Sequence, residues 1–117
     1  MQYMLLIYSN PADRPKPGTP EMAGLMQGYA DLGRALRADG AYVLGDALTG
    51  VDTARTLRGK GGATEVMDGP FAETREHLGG FYVIDVRDHA AAAAYAARIP
   101  TVQHGAVEIR PLAGFNL

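Results

Sequence analysis

Residues 68–86 read DGPFAETREHLGGFYVIDV, and this stretch decides the fold because it joins a turn to a polar loop and then to a buried strand. Gly69 precedes Pro70, whose ring fixes its own φ and keeps the residue before it out of the helical region, so the backbone must turn. Ionisable side chains then crowd the loop before the diglycine at 79–80. They are Asp68, Glu73, Arg75, Glu76 and His77. Residues 80–86 predict a strand, since most of them are apolar.

The composition limits the classes of protein to consider. A chain of 117 residues with 47% hydrophobic and 21% charged residues predicts one globular domain over 1–117. The net charge of −2 and the lack of basic runs argue against nucleic-acid and anionic-membrane partners. Without cysteine there are no disulfides or thiolate sites. The apolar run Met4–Tyr8 is too short for a secretion signal or membrane span. We expect a cytoplasmic protein.

Working outward from the central stretch, apolar periodicity, turns and capping residues predict the remaining elements. Thr19 and Asp88 are expected to cap two helices, which run from Pro20 to Gly40 and from Asp88 to about Ile99. The strands are expected at 2–8, 41–48, 80–86 and 106–112, with a hairpin of residues 53–58 and 62–67. The order predicts an α+β protein with a ferredoxin-like βαββαβ fold and an inserted β-hairpin.

The first strand predicts how the chain associates, because it is apolar on both faces. Residues 3, 5 and 7 alternate with residues 4, 6 and 8, and all six positions are apolar or aromatic. Right-handed crossovers place both helices on one face of the sheet, which leaves the other face uncovered. Monomers rarely expose a large apolar patch. We therefore expect a homodimer packed sheet to sheet.

Four quoted segments carry a resemblance to a known family: MQYMLLIY at the start, GDAL after the first helix, the 68–86 stretch, and an alanine-rich helix followed by RIP. Together they resemble the YCII-related family, in particular its DGPF branch, over nearly the whole chain. The resemblance implies a dimeric α+β barrel built from ferredoxin-like protomers.

The same resemblance leaves the function open. The more enzyme-like branch of the family has a histidine on the first helix paired with an aspartate, and some of its members carry out dehydrochlorination on ring compounds. Here that helix position falls near Gly28 or Tyr29, and no histidine precedes His77, so the pair cannot be carried over. Members of the DGPF branch often occur beside extracytoplasmic-function sigma factors, which implies a regulatory alternative.

Asp68 and Glu73 are the candidate catalytic residues, since two carboxylates around one turn could line a cleft and one could act as a general base. Such a base would need burial or a like-charged neighbour to raise its pKa towards neutrality. The structural interpretation is that Asp68 clamps its own turn and Glu73 pairs with Arg75 or another surface cation. We favour the structural interpretation.

Tyr8, Tyr29 and Arg55 are the candidate ligand-binding residues. Tyr8 ends the first strand and Tyr29 lies on the first helix, so both are predicted to meet over a pocket between sheet and helix. Arg55 and Arg58 are expected to share one strand face and hold an anionic ligand. The alternatives are that Tyr29 belongs to the core and that the arginines form a solvated strand edge.

Three histidines, at positions 77, 89 and 104, lack the spacing of metal ligands, so we expect no metal site. No cofactor motif is present, and we expect no cofactor.

Three interpretations of function stay open. The first is a YCII-related homodimer with a small-molecule pocket between the sheet and the first helix. The second is a cofactor-independent enzyme for proton transfer, isomerisation or elimination, such as dehydrochlorination of a small ring compound. The third is a sensing or regulatory partner of a sigma-factor system.

Overall fold

The strands and helices follow the predicted order. A computed structural model describes residues 1–116, and the elements there have the following bounds. The strands are β1 (Gln2–Ser9), β2 (Tyr42–Ala47), β3 (Arg55–Lys60), β4 (Ala63–Asp68), β5 (His77–Asp85) and β6 (Gly105–Pro111), and the helices are α1 (Pro20–Ala38) and α2 (His89–Ala96). None of the helices in this part of the chain is both long and apolar enough to cross a membrane.

The main sheet has the strand order β2-β5-β1-β6, and every neighbouring pair is antiparallel. With α1 between β1 and β2, and α2 between β5 and β6, this is the ferredoxin-like arrangement. Strands β3 and β4 pair only with each other and form the inserted hairpin. The predicted α+β fold is confirmed.

Both predicted helix caps are present. The hydroxyl of Thr19 accepts a hydrogen bond from the amide of Met22 at 3.2 Å. The carboxylate of Asp88 accepts one from the amide of Ala91 at 2.9 Å, and this bond lowers the pKa of Asp88. Each cap satisfies one of the amides that a helix leaves unpaired at its first turn. The second helix ends at Ala96, three residues before the predicted end.

Strand boundaries differ from the prediction at β5 and in the hairpin. β5 begins at His77, and His77 and Leu78 pair with Ser9 and Tyr8 of β1 beyond a bulge. The diglycine therefore lies within the strand instead of opening it. The hairpin strands β3 and β4 begin one to two residues later than expected. The turn predicted in the 68–86 stretch occurs at Gly69, where φ is +96°, a conformation that favours glycine.

The core lies between the inner face of the main sheet and the two helices. Alternate residues of β1 face inward, as their burial shows, and α2 approaches closely because its inward side chains are alanines. The buried residues of the core are Tyr3, Leu5, Ile7, Leu32, Leu36, Ala41, Ile84, Ala92, Ala96 and Ile99. Burial of these side chains contributes about 25 cal/mol for each Å² of apolar surface removed from water.

Only the second half of α1 reaches this core. Leu32 and Leu36 are buried, whereas Met22 and Leu25 are half-buried and Met26 is 61% exposed. Apolar residues continue along the same side of α1 into its first half, but there they face a gap between the helix and the sheet. That gap is the cavity described below.

The outer face of the main sheet is not covered by any helix in residues 1–116. Cross-strand pairing places Leu6 beside Phe81, and Met4 and Leu44 on either side of Val83. These five residues are called the outer patch. The charged residues Glu108 and Arg110 pair with β1 on the same face and border the patch.

The hairpin projects from the body of the molecule. Leu57 and Val66 face each other across it, and each is 63% exposed. The Cα radius of gyration is 16.2 Å, above the value of about 13 Å expected for a compact domain of this length. Arg55 and Arg58 lie on opposite faces of β3, because residues three apart on a strand point in opposite directions. The expectation that they share a face is wrong.

The contact between Gly28 and Pro100 yields a test of how α1 is positioned. A Cβ at residue 28 would lie 2.6 Å from the Pro100 ring, whereas one at Gly24 would meet nothing within 4 Å. Gly28→Ala should lower the free energy of unfolding by about 1 kcal/mol net, since overpacking costs about 1–3 kcal/mol and alanine's helix propensity returns part of it.

Gly24→Ala is the matched control and should be neutral or stabilising by up to about 1 kcal/mol. Urea denaturation followed by circular dichroism measures both variants. Equal stabilisation by the two alanines would contradict the tight contact.

Candidate functional site

A cavity of about 500 Å³ lies between the first half of α1 and the inner face of the main sheet. Its apolar wall comes from Met22, Leu25 and Met26 on the helix and from Ile7 on β1. Three tyrosines, Tyr29, Tyr42 and Tyr82, border it as well. A mostly apolar concave space with a few polar groups is typical of small-molecule sites, whose volumes run from about 300 to 1,000 Å³.

Arg14 defines the first end of the cavity. Its Nε donates a hydrogen bond of 3.4 Å to the hydroxyl of Ser9, which is buried at the end of β1. One terminal nitrogen of its guanidinium lies 2.7 Å from the position that a Cβ on Gly79 would take. A Cβ at residue 79 would therefore displace the guanidinium from its place against β5. Thr101 and His104 also line the cavity.

Tyr29 and Thr101 join α1 to the segment that follows α2. Their hydroxyl groups share a hydrogen bond of 2.6 Å, and Thr101 is buried. Burial raises the pKa of the Tyr29 hydroxyl above its ordinary value of 10.0, against the opposing effects of the Thr101 hydrogen bond and the charge of Arg14. Tyr29 is therefore a neutral hydroxyl at neutral pH and can donate a hydrogen bond.

Arg37 defines the second end. Its guanidinium lies 4.1 Å above the centre of the Tyr42 ring, a cation–π contact. A terminal nitrogen of Arg37 is 3.0 Å from the position of a Cβ on Gly33, so this guanidinium also rests against a glycine. Nearby, burial raises the pKa of Tyr82, with further increases from Tyr29 and Tyr42.

The charge in the cavity is predominantly positive. Among residues 1–116, the ion pairs include neither Arg14 nor Arg37. Asp46 also borders the cavity, and its carboxylate accepts a hydrogen bond of 2.9 Å from the amide of Ala47. Two guanidinium groups without carboxylate partners, next to an apolar wall, suit an anionic ligand with an apolar body. Within residues 1–116 no three histidine or carboxylate side chains converge as metal ligands.

Of the residues predicted to bind a ligand, Tyr29 lines this cavity and Tyr8 does not. Tyr8 alternates with the inward residues of β1 and lies on the other face of the sheet. There it borders a shallow depression together with Asn10, Asp13 and residues 74–76 of the polar loop. The structure thus separates the two tyrosines that were expected to meet.

Asp68 lies at the end of β4 opposite Arg55, and its carboxylate is 3.2 Å from the Arg55 Nε. The Asp68 side chain is 90% exposed. It points towards Arg55 across the hairpin and does not line the cavity. Glu73 is exposed in the loop and does not line the cavity either. Catalytic roles for Asp68 and Glu73 and a ligand-binding role for Arg55 stay predictions.

The sequence patterns did not predict that Arg14, Arg37 and His104 line the site. Arg14 lies in a proline-rich loop, Arg37 in the last turn of a helix and His104 in a turn, and each position is ordinary for a solvated side chain. The available signal was the pair of glycines Gly33 and Gly79, one on a helix and one on a strand, where glycine is unfavourable without a packing reason.

Comparison with known proteins places the chain in a family. The family model of the YCII-related domain matches residues 1–116, and the chain belongs to that family. Among curated proteins, an uncharacterised protein of Rhizobium meliloti (strain 1021) is 48% identical over 62 residues. That match covers 51% of this chain and 50% of the relative, so it spans about half the length of each.

Among solved structures, the chain is similar to 5-chloro-2-hydroxyhydroquinone dehydrochlorinase from Burkholderia phenoliruptrix AC1100 in complex with 2,5-dihydroxybenzoquinone. The sequence identity is 12% and the TM-score is 0.47, over 96% of this chain and 93% of that chain.

Proposed function

We propose that this member of the YCII-related family binds a small anionic molecule with an apolar body in the cavity between α1 and the main sheet. The observation that carries the proposal is the presence of Arg14 and Arg37 on the wall of a mostly apolar cavity, with no ion-pair partner within residues 1–116. A guanidinium offers two parallel N–H donors to a carboxylate or phosphate.

The apolar wall supports the second half of the proposal. Met22, Leu25 and Met26 lie on the helix face that would normally enter the core, yet all three are partly exposed to the cavity. A ligand with an aliphatic or aromatic body would cover these side chains and stabilise the complex by about 25 cal/mol for each Å² of apolar surface buried. Methionine adapts well to ligands of varied shape.

An enzyme is the second candidate, and the presence of His104 and Tyr29 in the same cavity favours it. Histidine is the side chain most often used for proton transfer near neutral pH. The Tyr29 hydroxyl, whose pKa burial raises further above 10.0, is neutral at pH 7 and can donate a hydrogen bond to an oxygen on which negative charge develops. This pair would serve a cofactor-independent proton transfer, isomerisation or elimination on a small ring compound.

We also propose that the protein is a homodimer in which the outer patches of two subunits pack together, as in a dimeric α+β barrel. The patch is formed by five apolar residues on a face that no helix of residues 1–116 covers. Stable protein interfaces bury about 1,200–2,000 Å² in total, and a sheet face of four strands offers an area of this order. The sigma-factor partnership and the cytoplasmic location stay predictions.

Leu25→Trp tests the ligand-binding proposal, because an indole at residue 25 would fill much of the cavity. Isothermal titration of the wild-type protein with benzoate and hexanoate should show saturable binding, and Leu25→Trp should weaken it roughly tenfold or more. Leu57→Trp, on the exposed hairpin, is the matched control and should bind like the wild type. The proposal fails if neither anion binds, or if both variants bind equally well.

His104→Gln tests the enzyme candidate. If the protein turns over a ring compound bound in the cavity, this variant should lose roughly 100-fold or more in kcat, because removing a general acid or base costs about 10²–10⁴-fold. Binding of the same compound should change little. His89→Gln, a histidine at the start of α2 outside the cavity, is the control. Unchanged turnover in His104→Gln would exclude this role.

Leu6→Arg tests the dimer. Leu6 is central in the outer patch and lies opposite Glu108 on β6, so the new cation has a carboxylate beside it in the monomer. Light scattering at micromolar concentration should give a dimer for the wild type and a monomer for Leu6→Arg. Circular dichroism should confirm that both are folded. A monomeric wild type, or a dimeric Leu6→Arg variant, would refute the proposed interface.

A further inference from the structure

We infer that the ligand carries two anionic groups, one held by Arg14 and the other by Arg37, joined by a short apolar body. This inference rests on the proposed function and goes further, because it specifies the ligand as a dianion such as a small dicarboxylate. The evidence is that each end of the cavity has its own seated guanidinium.

Arg14 is seated by contacts that a freely solvated arginine would lack. Its Nε is hydrogen-bonded to the buried Ser9 hydroxyl, and its terminal nitrogen occupies the space above Gly79. A guanidinium has five N–H donors, so one bond to Ser9 leaves the terminal nitrogens free for an anion. Tyr29 and Thr101, whose hydroxyl groups share a hydrogen bond, line the same cavity as Arg14.

Arg37 is seated in a comparable way at the other end. Its guanidinium stacks on Tyr42 and rests beside Gly33 of its own helix, one turn back towards the cavity. An arginine in the last turn of a helix usually extends to solvent near the terminal carbonyls. Arg37 is exposed, and its stacking on Tyr42 leaves the edge of the guanidinium, which bears the N–H groups, available to a ligand.

The distance between the guanidinium groups of Arg14 and Arg37 follows from the strand register. The guanidinium of Arg14 lies beside Gly79 of β5. The guanidinium of Arg37 lies over Tyr42, which pairs with Ile84 of β5. The Tyr42 hydroxyl donates a hydrogen bond to the carbonyl of Gly45, and Gly45 pairs with Tyr82 of β5. The two guanidinium groups are therefore three to five residues apart along β5, a distance of about 10–16 Å at 3.3 Å per residue. Each guanidinium–carboxylate contact takes up about 3 Å, which leaves room for one aromatic ring or a chain of a few methylenes.

A single anionic group could neutralise only one of these cations, because the other is too far away to contact it. With a dianion, both guanidinium groups gain a partner, and the apolar middle of the cavity faces the apolar middle of the ligand. Both arginines are exposed, so solvent screens the second ion pair and its gain is moderate. We expect about tenfold tighter binding of a dianion than of a monoanion of similar body.

Isothermal titration with two matched pairs of probes tests the inference: terephthalate against benzoate, and adipate against hexanoate. At constant ionic strength each dicarboxylate should bind the wild-type protein roughly tenfold more tightly than its monocarboxylate. Arg14→Gln and Arg37→Gln should each remove that advantage, so that both members of a pair bind with similar affinity.

Two glycine variants test the position of the guanidinium groups while leaving their charge unchanged. Gly79→Ala keeps both arginines but places a Cβ 2.7 Å from an Arg14 terminal nitrogen, so it should displace that guanidinium and reduce the preference for the dicarboxylate. Gly33→Ala places a Cβ 3.0 Å from Arg37 and should reduce the preference less. Arg34→Gln and Lys16→Gln are controls, since Arg34 pairs with Asp31 and neither residue lines the cavity. Both controls should keep the preference.

The outcomes separate this inference from the proposed function. If the monocarboxylates bind and Leu25→Trp weakens them, but the dicarboxylates bind no more tightly, the two-anion inference is overturned while the proposed function stands. A preference for dicarboxylates that survives in both Arg14→Gln and Arg37→Gln also overturns it. If none of the four probes binds the wild-type protein, both proposals fail.

Discussion

The contact of Gly28 with Pro100 is the constraint on which the candidate site depends. A Cβ at residue 28 would overlap the proline ring, so glycine lets α1 approach the segment after α2 at this one point. One residue further along, the Tyr29 and Thr101 hydroxyl groups bond across the same junction. Beyond it Leu32 and Leu36 enter the core. The helix is therefore held at its middle and its end, and its first half stands off the sheet above the cavity.

Much of the fold could be predicted because local signals decide it. Thr19 and Asp88 cap helices wherever an unpaired first turn follows them, and the alternation in β1 specifies two faces without reference to any other strand. The missed boundaries have long-range causes. His77 belongs to β5 because Ser9 is available to pair with it, and no feature of residues 77–79 alone reveals that partner.

The candidate site was harder to predict because periodicity identifies a helix face without identifying what lies opposite. The stripe of Met22, Leu25 and Met26 is typical of a core, and only the position of α1 makes it a cavity wall. Arg14 and Gly79 are 65 positions apart in the chain, so their contact depends on the folded register. Asp68 faces Arg55 for the same reason, since cross-strand pairing places the two side chains together.

The proposed dimer and the proposed ligand site use opposite faces of one sheet. Leu6 of the outer patch and Ile7 of the cavity are neighbours on β1, and the pleat of the strand directs them to opposite sides. A dimer formed through the outer patch would leave the α1 side of each subunit open, with one cavity per subunit. Coupling between the cavity and the dimer interface would require the backbone of β1 and β5 to move, and the hydrogen bonds between these strands hold that backbone in place. Ligand affinity and dimer affinity should therefore be largely independent, as expected for a rigid sheet that separates two sites.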